Sequence, residues 1–299
     1  MRRPDFFIVG APKCGTTAMI EYLKQHPEVF IPDRKELDFF GSDLVFKGHR
    51  LTEEEYLSFF ARAKMEKRAG EGSVWYLHST TAASEIKKFS PFARIIIMLR
   101  NPLDMMYSFH SQRVYNGNED IENFAAALDA EAERKRGSRL PHGASDLFGW
   151  CYRDVATYTK QVERYFRRFG REHVRVIIYD DFANDTGLAY RVTCQFLDVG
   201  SDFQPDFRIV NTRKRVRSKA LRDFMRRPHP TAGWLFRGLG LRPDRNDGYK
   251  GWLRRLNSSD HSLRPMDPVL RRQLQREFEP EVRQLSALLG RDLTHWCKA

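Results

Sequence analysis

Phe6-Phe7-Ile8-Val9-Gly10-Ala11-Pro12-Lys13-Cys14-Gly15-Thr16-Thr17-Ala18-Met19-Ile20-Glu21-Tyr22-Leu23 is the stretch whose reading decides the fold. The apolar run Phe6 to Val9 predicts a buried parallel strand, Gly10 to Gly15 a tight loop, and Thr16 onward the first turn of a helix. Strand, loop and helix in that order are suited to holding phosphate. Gly10 and Gly15 let the backbone turn sharply and approach a ligand, while free amides and the positive end of the helix dipole attract an anion. Lys13 and the hydroxyls of Thr16 and Thr17 add donors. The spacing departs from the nucleotide triphosphatase loop G-x-x-x-x-G-K-[ST], because Thr16 stands where that loop has its lysine. Lys13 instead lies inside the loop, where it can reach the bond between a transferred terminal group and the phosphate that leaves.

A second unit, Arg94-Ile95-Ile96-Ile97-Met98-Leu99-Arg100-Asn101-Pro102 through His110, repeats this plan: an apolar strand, a short turn with proline at the first helical position, then a helix. Arg100 leaves the strand at its carboxyl end, the edge where doubly wound sheets bind ligands. Ser108 lies about two turns into the helix, on the face that continues the turn, so it and Arg100 can meet one anionic group. An ion pair of Arg100 with Asp104 is the competing reading.

Between these units, Lys35-Glu36-Leu37-Asp38-Phe39-Phe40 offers Glu36 as a carboxylate able to return to the mouth of the phosphate loop and accept a proton from a nucleophile. An ordinary surface glutamate is the alternative. Leu51 to Ala63 reads as a helix with Thr52 and Glu55 forming a capping box. Gly149 to Phe169 reads as one amphipathic helix, Val174 to Tyr179 as a strand and Asn184 to Leu197 as a further helix. Residues 228–265 look irregular, a candidate substrate or lid region. A terminal helical pair is expected, kinked at Pro280.

The 299 residues can bury a full core, and the expected fold class is α/β, a single domain over 1–299 with a central, mostly parallel sheet flanked by helices. No apolar run approaches the ~20 residues that span a bilayer. With no signal segment ahead of the phosphate loop, a cytoplasmic location is the expectation. Cys14, Cys151, Cys194 and Cys297 are far apart and suggest neither a disulfide framework nor a metal site. The net charge of +12 implies anionic partners. The basic run Arg213 to Lys219 lacks stacking aromatics and any nucleic-acid motif, so no nucleic acid is assigned, and contact with an anionic surface stays open.

Together, Gly10-Ala11-Pro12-Lys13-Cys14-Gly15-Thr16-Thr17, Lys35-Glu36-Leu37-Asp38-Phe39-Phe40 and the Arg100 to Ser108 unit resemble the sulfotransferases that use 3′-phosphoadenosine 5′-phosphosulfate (PAPS), above all the bacterial and heparan-sulfate-type branch. The likeness covers nearly the whole chain. It implies that Lys13, Cys14, Gly15, Thr16 and Thr17 hold the 5′-phosphosulfate, and that Arg100 and Ser108 bind the 3′-phosphate. It further implies that Glu36 is the general base, that Lys13 stabilises the leaving phosphate and that no metal is needed. Arg213 and Arg217 are the expected cover over the nucleotide. One departure is Gly72, where heparan-sulfate members often carry lysine after the glutamate that aligns with Glu71. A magnesium-dependent kinase on the same type of fold and a basic polyanion-binding protein remain as alternatives.

Overall fold

Five parallel strands, β1 (Phe6–Gly10), β2 (Val29–Phe30), β3 (Arg68–Gly72), β4 (Arg94–Leu99) and β5 (Val174–Ile178), lie side by side in the order β2-β3-β1-β4-β5. They are seen in a computed structural model that describes residues 2–45, 49–141, 149–207, 214–216, 258–260 and 265–298. Every residue of β1, and Ile95 to Leu99 of β4, is buried, which is what unbroken apolar runs require of strands covered on both faces.

From β1 the chain crosses to one side of the sheet and later, from β3, to the other, so right-handed connections put α1 (Thr16–Leu23) and α3 (Ala82–Phe89) on opposite faces. Phe207 lodges between Tyr22 of α1 and Tyr190 of α10 (Thr186–Leu197), with ring centroids 5.1 and 5.7 Å away, and joins those helices into one layer. In the other layer α3 packs on α8 (Tyr158–Phe169), and α11 (Pro268–Leu289) packs on α8 and on α4 (Pro102–Tyr115). Shorter helices α2 (Glu53–Ser58), α5 (Phe124–Asp129), α6 (Glu131–Lys135), α7 (Tyr152–Ala156) and α9 (Tyr179–Asn184) fill the connections. The capping box is present: Thr52 Oγ1 accepts from Glu55 N at 3.2 Å and Glu55 accepts from Thr52 N at 2.8 Å.

Three expectations are corrected. The helix expected over 51–63 spans only Glu53–Ser58. The helix expected over 149–169 breaks at Thr157, and side chains replace the lost backbone bonds: Thr157 Oγ1 donates to Arg153 O at 2.9 Å and Gln161 Nε2 to Asp154 O at 3.0 Å. The break lets both Tyr152 and Tyr158 bury fully, which one helix would set about 120° apart. The terminal pair is one helix, α11, running through Pro280. Pro280 and Arg276 both lie on the exposed side of the helix, where a carbonyl that proline deprives of its donor can turn toward solvent.

Of the segment expected to be irregular, 228–265, only residues 258–260 and 265 are among the described residues. Ser258–Asp260 is a strand, β7, paired antiparallel with β6 (Lys214–Val216), and β6 runs beside α4. Among the described residues no helix is long and apolar enough to cross a membrane.

Gly70 of β3 has no room for a side chain, since a Cβ there would lie 2.5 Å from the buried ring of Phe6. Gly70→Ala should therefore lower the unfolding free energy by about 1–3 kcal/mol, more than the ~0.5–1 kcal/mol that alanine recovers over glycine in a strand. Urea unfolding with an unchanged midpoint would show that Phe6 moves aside freely.

Candidate functional site

β1 lies between β3 and β4 at the point where the strand order reverses, so its carboxyl end opens into a crevice bordered by both neighbours. The loop it feeds is clamped from either side. Ala11 N donates to Met98 O of β4 at 2.7 Å, and a Cβ on Gly10 would strike Leu77 Cβ at 2.6 Å and Val74 O at 2.8 Å. Lys13 sits at φ 61° and Gly15 at φ 90°, immediately before α1. Gly15 caps α1 without any side-chain hydrogen bond, and the first turn holds no acid. The helix start is thus left electropositive, with Thr16 and Thr17 behind it, an arrangement fit for an anion. Cys14 is different: its side chain is fully buried and Sγ lies 3.3 Å from Pro12 O, so only its backbone can face a ligand. Burial pushes that thiol up to about 12.

The Lys35-Glu36 segment returns to this loop. Lys35 Nζ donates to Thr17 Oγ1 and lies 3.5 Å from Glu36 Oε1, while Val74 N donates to Glu36 Oε2 at 3.0 Å. Glu36 is thereby fixed between the phosphate loop and the end of β3. Burial raises its carboxyl above the ordinary range, against the opposing pull of Lys35 and the Val74 amide.

A buried hub supports the turn that follows. Glu71 Oε1 accepts from Tyr56 OH at 3.0 Å and from Tyr76 OH at 2.8 Å, and Oε2 accepts from Ser73 Oγ at 2.8 Å. Those hydroxyls in turn accept backbone amides: Ser73 Oγ from Asp38 N at 3.2 Å, and Tyr76 OH from Phe39 N at 2.9 Å and Phe40 N at 3.3 Å. Glu36 at φ 55° and Asp38 at φ 51° are held in the left-handed region, which costs about 1–2 kcal/mol per residue. Hydrogen bonds worth about 0.5–1.5 kcal/mol each offset that strain. Burial pushes Glu71 up to about 7, and burial with the neighbouring charges of Glu36 and Glu71 pushes Asp38 up to about 7 as well.

On the other side of the loop, Arg100 emerges at the end of β4 with its guanidinium carbon 4.6 Å from the Tyr179 ring centroid, and its positive charge opposes the larger upward effect of burial on the Cys14 thiol. Asp104 pairs with Arg271 at 2.9 Å, not with Arg100. Asn101 caps α4 by accepting from Leu103 N at 3.0 Å, with Pro102 at the first helical position. Ser108 is buried on α4, the helix beside which β6 runs. Arg213 and Arg217 lie outside the described residues. The structure therefore gathers Lys35, Glu36 and Thr17 in one place and sets Arg100 beside Cys14 of the same loop.

Sequence reasoning missed Lys35 at the site, and it missed the buried Glu71 hub that supports the turn behind it. The signal available was Lys35 next to Glu36; nothing in the spacing links Tyr56 to Glu71. Gly72 has a physical reason, since a Cβ there would come within 2.3 Å of Ile20 Cδ1 on α1. Among the described residues no group of three or more His, Cys, Asp or Glu could hold a metal ion.

A family model described as sulfotransferase domain matches residues 3–226. A solved sulfotransferase from Alicyclobacillus acidocaldarius is 32% identical, covers 99% of both chains and superposes with a TM-score of 0.74. Carbohydrate sulfotransferase 15 of Mus musculus is 24% identical over 66% of this chain and 44% of its own length, and that of Homo sapiens 30% identical over the same shares. The bifunctional heparan sulfate N-deacetylase/N-sulfotransferase 1 of Caenorhabditis briggsae is 32% identical over 66% of this chain and 23% of its own. The chain spans less than half the length of these curated relatives.

The raised acids give the site a pH signature. Asp38 keeps its proton up to about 7 in the fold but only to about 3.8 in the unfolded chain, so the native state binds more protons between those values and loses stability as pH rises through them. Asp38→Asn should leave stability unchanged below pH ~4 and gain on the parent as pH climbs toward ~7. A difference between the two proteins that stays flat across a pH series of urea titrations would show that Asp38 titrates normally.

Proposed function

The chain belongs to the sulfotransferase-domain family, and from that premise we propose that it transfers the sulfuryl group of PAPS to a hydroxyl or amine of an acceptor. The observation that carries this reading is Glu36, a carboxylate raised by burial and fastened to the phosphate loop through Lys35 and Thr17. Lys13, the amides at the start of α1 and the hydroxyls of Thr16 and Thr17 hold the 5′-phosphosulfate. Arg100 and Ser108 hold the 3′-phosphate.

Glu36 takes the proton of the acceptor as its oxygen or nitrogen forms a bond to sulfur in line with the leaving phosphate. The bond from sulfur to the bridging oxygen breaks, and its electron pair stays on the 5′-phosphate of adenosine 3′,5′-bisphosphate. Lys13 and the loop amides stabilise the charge that grows there, a task the reading gives to them and not to a divalent ion. Lys35, between Thr17 and Glu36, faces the sulfuryl oxygens and favours the ionised base. It supplies an ammonium where Gly72 cannot. The names of the relatives make carbohydrate alcohols and amines the first acceptors to screen with labelled donor; lipids and small natural products follow.

Glu36→Gln should lower turnover by about 10²–10⁴-fold while adenosine 3′,5′-bisphosphate still binds with about parental affinity in magnesium-free titration calorimetry. Retained turnover would remove Glu36 from the base role, and binding of ATP with magnesium in place of the bisphosphate would make the protein a kinase. Arg100→Ala should weaken adenosine 3′,5′-bisphosphate by about tenfold or more and adenosine 5′-phosphosulfate far less. Equal losses for both nucleotides would detach Arg100 from the 3′-phosphate.

A further inference from the structure

The turn that presents Glu36 contains two residues, Glu36 and Asp38, in backbone conformations that side chains disfavour. Such a turn persists only if its surroundings over-determine it. The three amides after Leu37 all end on hydroxyls: Asp38 N on Ser73, Phe39 N and Phe40 N on Tyr76. A hydroxyl has one proton. For Ser73 and Tyr76 to turn lone pairs toward the amides, their protons must go elsewhere, and in both cases they go to Glu71, which is 2% exposed. Tyr56 donates to the same carboxylate but takes no amide of the turn.

We propose that Glu71 in its ionised form is a positioning residue: by accepting the hydroxyl protons of Ser73 and Tyr76 the carboxylate orients both hydroxyls to hold the backbone of residues 38–40, and so fixes Glu36 at the phosphate loop. The inference rests on the reading of Glu36 as general base. Glu71 itself touches neither donor nor acceptor. It lies in the fully buried layer behind β3, with Tyr56, Tyr76 and Ser73 all at 0% exposure around it. Its amide counterpart presents a donor to one arm of the hub, so at least one hydroxyl proton loses its acceptor and the corresponding backbone amide loses its fixed partner. Reacting atoms displaced by even ~1 Å can cost ~10²-fold in rate.

The test compares Glu71→Gln, Tyr76→Phe and Tyr56→Phe in the full chain by amide hydrogen exchange of residues 38–40, by affinity for adenosine 3′,5′-bisphosphate, and by turnover of PAPS with whichever acceptor the screen returns. Glu71→Gln and Tyr76→Phe should speed exchange at those amides by about tenfold or more and lower kcat by about 10–100-fold, with KM for PAPS and bisphosphate affinity within about twofold of the parent. Tyr56→Phe removes a bond to the same carboxylate and should cost stability alone, leaving exchange of the turn and kcat unchanged. If Glu71→Gln and Tyr76→Phe leave the three amides protected, or if all three variants move every readout in step, Glu71 is structural and the inference falls. Should Glu71→Gln not fold, Tyr76→Phe decides. A turn freed in Tyr76→Phe beside an active Glu36→Gln would sink the base assignment and leave the anchor standing; a dead Glu36→Gln beside a turn still protected in Tyr76→Phe would do the reverse.

Discussion

The constraint from which the rest follows is a helix start that keeps its amides free. α1 begins at Gly15 with no capping side chain among the described residues and no acid in its first turn, so its dipole and first N–H groups make its start electropositive. An unsatisfied helix end is tolerable only where a ligand or water can reach it and where the chain cannot relax into a different turn. Both conditions come from the sheet. β1 is wholly buried between β3 and β4, and the loop is pinned by the Ala11 amide on Met98 and by the contact of Gly10 with Leu77.

Acids beside such a site are a second problem, because ionised carboxylates repel an anionic donor. Glu36, Asp38 and Glu71 lie together, and burial raises all three above their ordinary range. Asp38 and Glu71, near 7, carry less negative charge at neutral pH than exposed acids would. Glu36 is held closer to its charged form by Lys35, whose ammonium also reaches Thr17. One lysine thus separates the carboxylate from the phosphate loop and links the two.

The carboxyl end of the chain closes the second crossover. Asn101 Nδ2 donates to Trp296 O at 3.2 Å, Trp296 Nε1 donates to Asp180 at 2.7 Å, and Arg271 of α11 pairs with Asp104 of α4. With Asp104, in the first turn of α4, engaged by Arg271, Arg100 at the end of β4 lies over Tyr179. Side chains from three distant stretches therefore set the bearing of the edge that the Arg100-Asn101-Pro102 turn presents.

Local signals were enough for the elements that local chemistry dictates. Unbroken apolar runs mark β1 and β4, Thr52 with Glu55 marks the start of α2, and proline after asparagine marks α4. The two crossover loops, and hence the places of Lys13, Thr16, Thr17 and Arg100, were legible because each lies within a few residues of a strand end, whereas Glu36, between β2 and α2, stood out only through the resemblance carried by Lys35 to Phe40. What lay beyond reach depends on partners far apart in sequence. The break at Thr157 hinges on side chains replacing backbone bonds, and the unbroken α11 on which face of Pro280 meets water. Tyr56, Glu71 and Phe39 become one network only when α2, β3 and the turn before it are packed together. Periodicity reports which residues are buried; the direction of a hydroxyl proton between two buried groups is settled only once tertiary packing has chosen its neighbours.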